Sequence, residues 1–289
     1  MAAVWRRLPV IVRALVLGAL VAVAGTVPWA YLVSLNIRRW PAVPWAVPLT
    51  AIYLWLFWRY VTGAGWPPST ARARRELSRA NTVQDDAWLT ALLAGDLDLG
   101  AMLLLQGVMS RLVTLPQQKD IDPSQYPALT VFMWVVMSAI VAGVVEETAF
   151  RGYMQGPIER RHGPVVAILA TGTVFGFVHF THPEVGLALL PYYLAVAAVY
   201  GTLAHLTNSV YPSMLLHAGD NMLSSFSLFT RGRSEWSPSA THSQLIWETG
   251  PDAAFWLSVA GLVVASGAAI VAFAALARVT SARGQPRTQ

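Results

Sequence analysis

Apolar residues fill long stretches of the chain, and the stretches recur at a length set by one physical constraint. A helix needs about 20 apolar residues in a row to cross a hydrocarbon core of about 30 Å. Eight segments approach that length: 10–35, 42–61, 98–115, 128–155, 164–180, 186–206, 209–229 and 253–277. The third is the weakest, because Asp96, Asp98 and Arg111 crowd its borders. The first is too long, and too closely followed by a second, for a cleaved signal peptide. The pattern predicts an all-α fold, a polytopic membrane bundle of about eight transmembrane helices. It divides into an N-terminal region 1–127 with a cytoplasmic loop 63–87, a four-span core 128–229, and a segment 230–289 holding an outer loop, the last span and a tail. No internal repeat is visible.

Composition narrows the classes of function. The chain has 289 residues, of which 55% are hydrophobic and 12% charged, with a mean hydropathy of +0.49. A soluble domain carries about 25% charged residues. A soluble enzyme, a disordered chain and a nucleic-acid-binding module are therefore excluded as readings; the expected surroundings are a lipid bilayer. There is no cysteine, so no disulfide, thiol nucleophile or Cys-based metal site is available.

Charge then gives an orientation. Lys and Arg number 20 against 15 acidic residues, and they cluster between the apolar runs. With the N-terminus inside, the cytoplasmic segments hold Arg6, Arg7, Arg13, Arg59, Arg72, Arg74, Arg75, Arg79, Arg160, Arg161, Arg278, Arg283 and Arg287. The outer loops hold Arg38, Arg39, Lys119, Arg231 and Arg233. This bias predicts that both termini are cytoplasmic. The preference for Arg, Ala and Val over Lys and Ile suggests a bacterial genome and hence a bacterial inner membrane.

Ionisable residues inside apolar spans are costly, about 2.5–3.5 kcal/mol each on insertion scales, and mark function. Span four holds Glu146, Glu147 and Arg151 within "EETAFRG". Span five ends with Phe175 and His179, and span seven holds His217, Asp220 and Asn221. Glu147 and Arg151 are i and i+4, so they share a helix face and can pair. Glu146 lies about 100° round the helix and can point elsewhere. A carboxylate and two imidazoles meeting in the interior can activate a water, directly or through a bound metal. His162, His182, His205 and His242 fall at span ends or in loops, where solvated or interfacial positions are expected. The Trp and Tyr residues mostly flank spans, as an interfacial belt does.

These residues resemble the CPBP family, the CAAX prenyl endopeptidase and bacteriocin-processing (Abi) intramembrane proteases. Glu146, Glu147 and Arg151 match its Glu-Glu-x-x-x-Arg motif, Phe175 and His179 its Phe-x-x-x-His motif, and His217 and Asn221 its His-x-x-x-Asn motif. The resemblance implies a membrane-embedded endopeptidase acting on a peptide or protein substrate, free or membrane-anchored. By the same resemblance, Glu146 is the general base and His179 orients the water. His217 and Asn221 hold the oxyanion, while Glu147, Arg151 and Phe175 support them. The family implies either a metal-independent glutamate mechanism or a zinc enzyme, with Glu146, His179 and His217 as ligands. Asn is an unusual ligand and no His-Glu-x-x-His occurs, which favours the metal-independent form with no cofactor.

Other intramembrane chemistries lack their residues. No Gly-x-Ser-Gly nucleophile occurs, and Gly95–Asp96 stands without the companions of an aspartyl protease. The rival from another class is a non-catalytic immunity factor, scaffold or transporter of the same fold. Eukaryotic relatives trim prenylated proteins. In a bacterium, peptide maturation, bacteriocin self-immunity and signal-protein processing are equally open.

Overall fold

A computed structural model describes residues 5, 7–114, 123–179, 183–231 and 245–281 of the chain. Arg6, Lys119, His182, Arg233, His242, Arg283 and Arg287 lie outside them. Among the described residues there is no strand, and the long helices fall where the apolar runs predict them. They are α1 (Val10–Arg39), α2 (Ala46–Val61), α3 (Asp85–Leu112), α4 (Ala128–His162), α5 (Pro164–Val178), α6 (Pro183–Thr207), α7 (Tyr211–Arg231) and α8 (Ala253–Ser281).

Five of these, α1, α3, α4, α6 and α8, are long and apolar enough to cross a membrane, fewer than the eight spans expected. The shortfall has physical causes. Helices α2 and α5 have 16 and 15 residues, about 24 and 22 Å at 1.5 Å per residue, short of a full hydrocarbon core. Helix α7 is long enough but carries His217, Asp220, Asn221 and several serines, so its hydropathy falls below that of a span. These three helices are backed by long neighbours: α2 packs on α1, α5 on α6, and α7 on α4.

Boundaries shift where local chemistry competes with hydropathy. Helix α3 starts at Asp85, thirteen residues before the apolar run, because Asp85 and Asp86 occupy its first turn. Carboxylates complement the positive end of a helix. Helix α4 continues through Arg160 and Arg161, which lie exposed at its end. Asp252 caps α8: its Oδ1 accepts from the Phe255 N–H at 2.8 Å, and its Oδ2 from Arg111 at 3.0 Å. That backbone bond, followed by Arg111, holds the Asp252 carboxyl below its ordinary range.

Contacts sort the helix ends into two layers. At one end, Arg79 pairs with Glu159 late in α4, Glu159 meets His205 late in α6, and the Val210 N–H donates to the Arg79 carbonyl just before α7. At the other end, Arg111 closes α3 onto Asp252, and Asn36 of α1 joins the Ala46 N–H to Trp134 near the start of α4. This alternation makes successive long helices antiparallel. Two of the arginines that mark the orientation, Arg74 and Arg79, are buried. Arg74 donates to the Tyr60, Gly65 and Pro67 carbonyls, and Arg79 is enclosed by its pair with Glu159.

Close approach between α4 and α7 positions the polar residues. A Cβ on Gly143 would lie 2.7 Å from the Met214 carbonyl oxygen, so only glycine lets the two backbones meet there. Small residues play this part wherever membrane helices pack tightly.

Candidate active site

Around the glutamate pair, α4 is not an α-helix. Residues Ala142–Glu146 and Thr148–Gln155 are π-helical, with Glu147 at the junction. The wider i→i+5 turn is rare, occurs mostly at functional sites, and alters which side chains share a face. Residues 148–155 are all buried. No hydrophobic pattern announces such a turn, because one π-turn leaves the apolar composition unchanged.

The two carboxylates point to different surroundings, as their spacing predicts. Glu147 is fully buried. Its Oε1 accepts from His217 Nδ1 at 2.9 Å, and its Oε2 lies 3.3 Å from Arg151 Nε. The latter is an ionic contact without hydrogen-bond alignment, since neither atom finds a hydrogen-bond partner among the described residues. Arg151 is equally buried, and its guanidinium carbon lies 5.2 Å from the Phe175 ring centre, 5.6 Å from Tyr200 and 5.9 Å from Phe150. Aromatic faces thus complete the cage around a cation that one carboxylate neutralises.

Glu146 faces the two imidazoles. Its Oε2 lies 3.9 Å from His217 Nε2 and 4.0 Å from His179 Nε2, and has no hydrogen-bond partner among the described residues. Such separations are too long for direct hydrogen bonds. They suit groups that share a small polar molecule, which needs two to four polar partners. Each ring is held from behind. His179 caps α5 and donates from Nδ1 to the Phe175 carbonyl at 2.8 Å, which turns Nε2 toward Glu146. His217 donates from Nδ1 to Glu147, so its Nε2 is also turned toward Glu146.

Glu146, His179 and His217 are therefore brought together, with Glu147, Arg151 and Phe175 behind them. Asn221 is placed differently. It sits one turn beyond His217, and its side-chain amide donates to the His217 carbonyl at 3.1 Å. It makes no direct bond to Glu146 or to either imidazole. The amide's second N–H remains to serve a bound group. Asp220, left open by the sequence, is partly buried near the same turn.

A cation would find Glu146, His179 and His217 as its donors, two imidazoles and a carboxylate as in some catalytic zinc sites. Among the described residues, no three His, Asp or Glu side chains stand close enough to hold a metal ion as they are. Of the remaining histidines, His162 is exposed, as expected. His205 lies at the end of α6, half-buried, and is paired with Glu159 at 2.7 Å.

Sequence reasoning missed Tyr193 and Tyr200. They belong to α6: the Tyr200 ring stacks on His217 with centres 5.1 Å apart, and the Tyr193 ring lies tilted against His179 at 5.0 Å. Inside an apolar helix, two tyrosines seven residues apart read as packing or belt residues. The available signal was their placement away from the helix ends.

Comparison with known proteins bears on the same segment. No curated protein and no solved structure matches the chain significantly. Residues 128–223, from the start of α4 into α7 and including all three motifs, match the family of type II CAAX prenyl endopeptidases described as Rce1-like.

Proposed function

We propose that this protein is an intramembrane endopeptidase that hydrolyses a peptide bond with a water activated by Glu146, without a metal. One observation carries the reading: a half-enclosed carboxylate oxygen without a hydrogen bond faces two imidazole nitrogens at about 4 Å, inside a membrane bundle. The cost of keeping such a carboxylate in an apolar setting argues for a reactive role.

In the proposed reaction, a water bound between Glu146 and His179 gives a proton to the Glu146 carboxylate as its oxygen attacks the substrate carbonyl carbon. The carbonyl π electrons move to oxygen, and the oxyanion is met by the second N–H of Asn221 and by the Nε2–H of a protonated His217, whose Nδ1–H stays on Glu147. Such donors are worth several kcal/mol when preorganised. Collapse of the tetrahedral intermediate breaks the C–N bond. Glu146 returns its proton to the leaving amine, so protons and electrons balance. Glu147 acts through His217: its Oε1 accepts from Nδ1, sets the direction of that ring and balances its positive charge, a supporting part of the kind carboxylates play behind metal-binding and catalytic histidines.

The substrate is a peptide or membrane-anchored protein that reaches the site within the bilayer. The test is comparative proteomics of membrane peptides from cells carrying the wild-type protein or Glu146→Ala. The reading expects products that vanish in the variant. Identical products in both would favour a non-catalytic scaffold. Metal independence is checked by elemental analysis and chelation of the purified protein. Unchanged activity after chelation is expected; stoichiometric zinc lost together with activity would overturn that part.

A further inference from the structure

The hydrogen bonds found for the two site histidines leave each ring under-determined. One bond at Nδ1 fixes a point on the imidazole and the direction of Nε2, yet the ring can still tilt about that bond. Catalytic groups must be held within about 0.5 Å and 10–20° of their working geometry. Something else must fix the ring planes.

Helix α6 supplies it. Tyr193 and Tyr200 are seven residues apart, two helical turns, and so lie on one face. The Tyr200 ring lies 5.1 Å from the His217 ring at an interplanar angle of 16°, close to parallel. Tyr193 lies 5.0 Å from His179 at 30°. Phe175 backs both histidines, at 4.3 Å from His179 and 6.3 Å from His217. Each imidazole is thus held by one hydrogen bond and two aromatic rings. Tyr200 is fully buried, and its hydroxyl has no hydrogen-bond partner among the described residues. What it gives to the site is therefore its ring. That ring also lies 5.6 Å from the Arg151 guanidinium, so one side chain touches both partners of Glu147.

The geometry points to Tyr193 and Tyr200 as positioning residues, an aromatic wall on α6 that sets the planes of His179 and His217. Neither belongs to the three sequence motifs, and the helix that bears them carries no motif. The inference rests on the proposed hydrolytic reading for its effect on rate, but the stacking itself can be observed without any substrate.

The test compares Tyr200→Phe with Tyr200→Leu, and Tyr193→Phe with Tyr193→Leu, in the full-length protein in micelles. Histidine ring signals are followed by NMR with labelled histidine and assigned with His217→Gln and His179→Gln. Ring-current shifts of the His217 protons should persist in Tyr200→Phe and disappear in Tyr200→Leu. Misplacement of a catalytic group by 1 Å costs about 10²-fold, so the Leu variants should lose about 10- to 100-fold in kcat with KM nearly unchanged. The Phe variants should stay within about twofold of wild type. Unaltered His217 signals, or wild-type kcat, in Tyr200→Leu would overturn the proposal for Tyr200. If Tyr200→Leu does not fold, the partly exposed Tyr193 decides by the same readouts on His179. A wild-type protein that cleaves nothing would count against the hydrolytic reading alone, and the NMR comparison would then decide the stacking.

Discussion

Two clusters in this molecule are built from the same parts, a carboxylate, an arginine and histidine, and they differ in how completely the carboxylate is satisfied. At one end of the bundle, Glu159 accepts from Arg79 through both oxygens, at 2.9 and 3.3 Å, from His205 at 2.7 Å and from Gln155 at 3.1 Å. Nothing is left over. The cluster joins α4 to α6 and to the segment before α3, whose Arg79 carbonyl holds the start of α7. In the interior, Glu147 is engaged by a hydrogen bond from His217 and an ionic contact with Arg151, but its neighbour Glu146 keeps an oxygen with nothing nearer than two imidazole nitrogens at about 4 Å. A carboxylate whose lone pairs are filled can accept a proton only by giving up native bonds. An unfilled one can accept it at little structural cost. Saturation therefore separates a clamp from a reactive group where composition cannot.

Substitutions can break this contrast at graded cost. The largest effect is expected at Glu146. Its replacement by Gln removes the base and should lower cleavage by at least about 10²- to 10⁴-fold, with little change in thermal stability because no hydrogen bond is lost. Glu147→Ala should reverse the balance. It leaves Arg151 buried without its carboxylate, a loss of about 3–5 kcal/mol in stability, measurable by thermal or denaturant unfolding in micelles. Cleavage should survive in part, since His217 keeps its ring contacts. Glu159→Ala should cost on the order of 2 kcal/mol of stability, discounted because the pair is partly open to solvent. The kcat of Glu159→Ala should match wild type. The exposed pair Arg72–Glu76, at 2.8 Å on the short helix before α3, sets the floor: Arg72→Ala should change neither melting temperature nor rate.

The sequence made much of this arrangement legible, for definable reasons. Hydropathy located α1, α4, α6 and α8, because a bilayer demands long apolar runs. It misjudged the start of α3, because the acidic residues that lower its hydropathy also stabilise its first turn. It assigned spans also to α2, α5 and α7, whose length or polarity falls short of the other five. In the site, the spacing of Glu147 and Arg151 predicted a pair that is seen in contact. The meeting of Glu146 with His179 and His217 depended on helix order and depth, and is observed. The π-helical turns, the buried Arg74 and the Tyr193–Tyr200 wall were hidden because each depends on contacts between helices, which no local pattern encodes. Asn221 matched its motif by spacing, while its side chain turns to the backbone of its own helix.

The most direct test sets Glu146→Gln beside Glu159→Gln in one preparation of purified protein in nanodiscs, with melting temperature and cleavage of a membrane-derived peptide library measured on the same samples. The account predicts that Glu146→Gln melts with wild type and cleaves nothing, whereas Glu159→Gln melts lower and cleaves at the wild-type kcat. Cleavage at the wild-type rate by folded Glu146→Gln would contradict it.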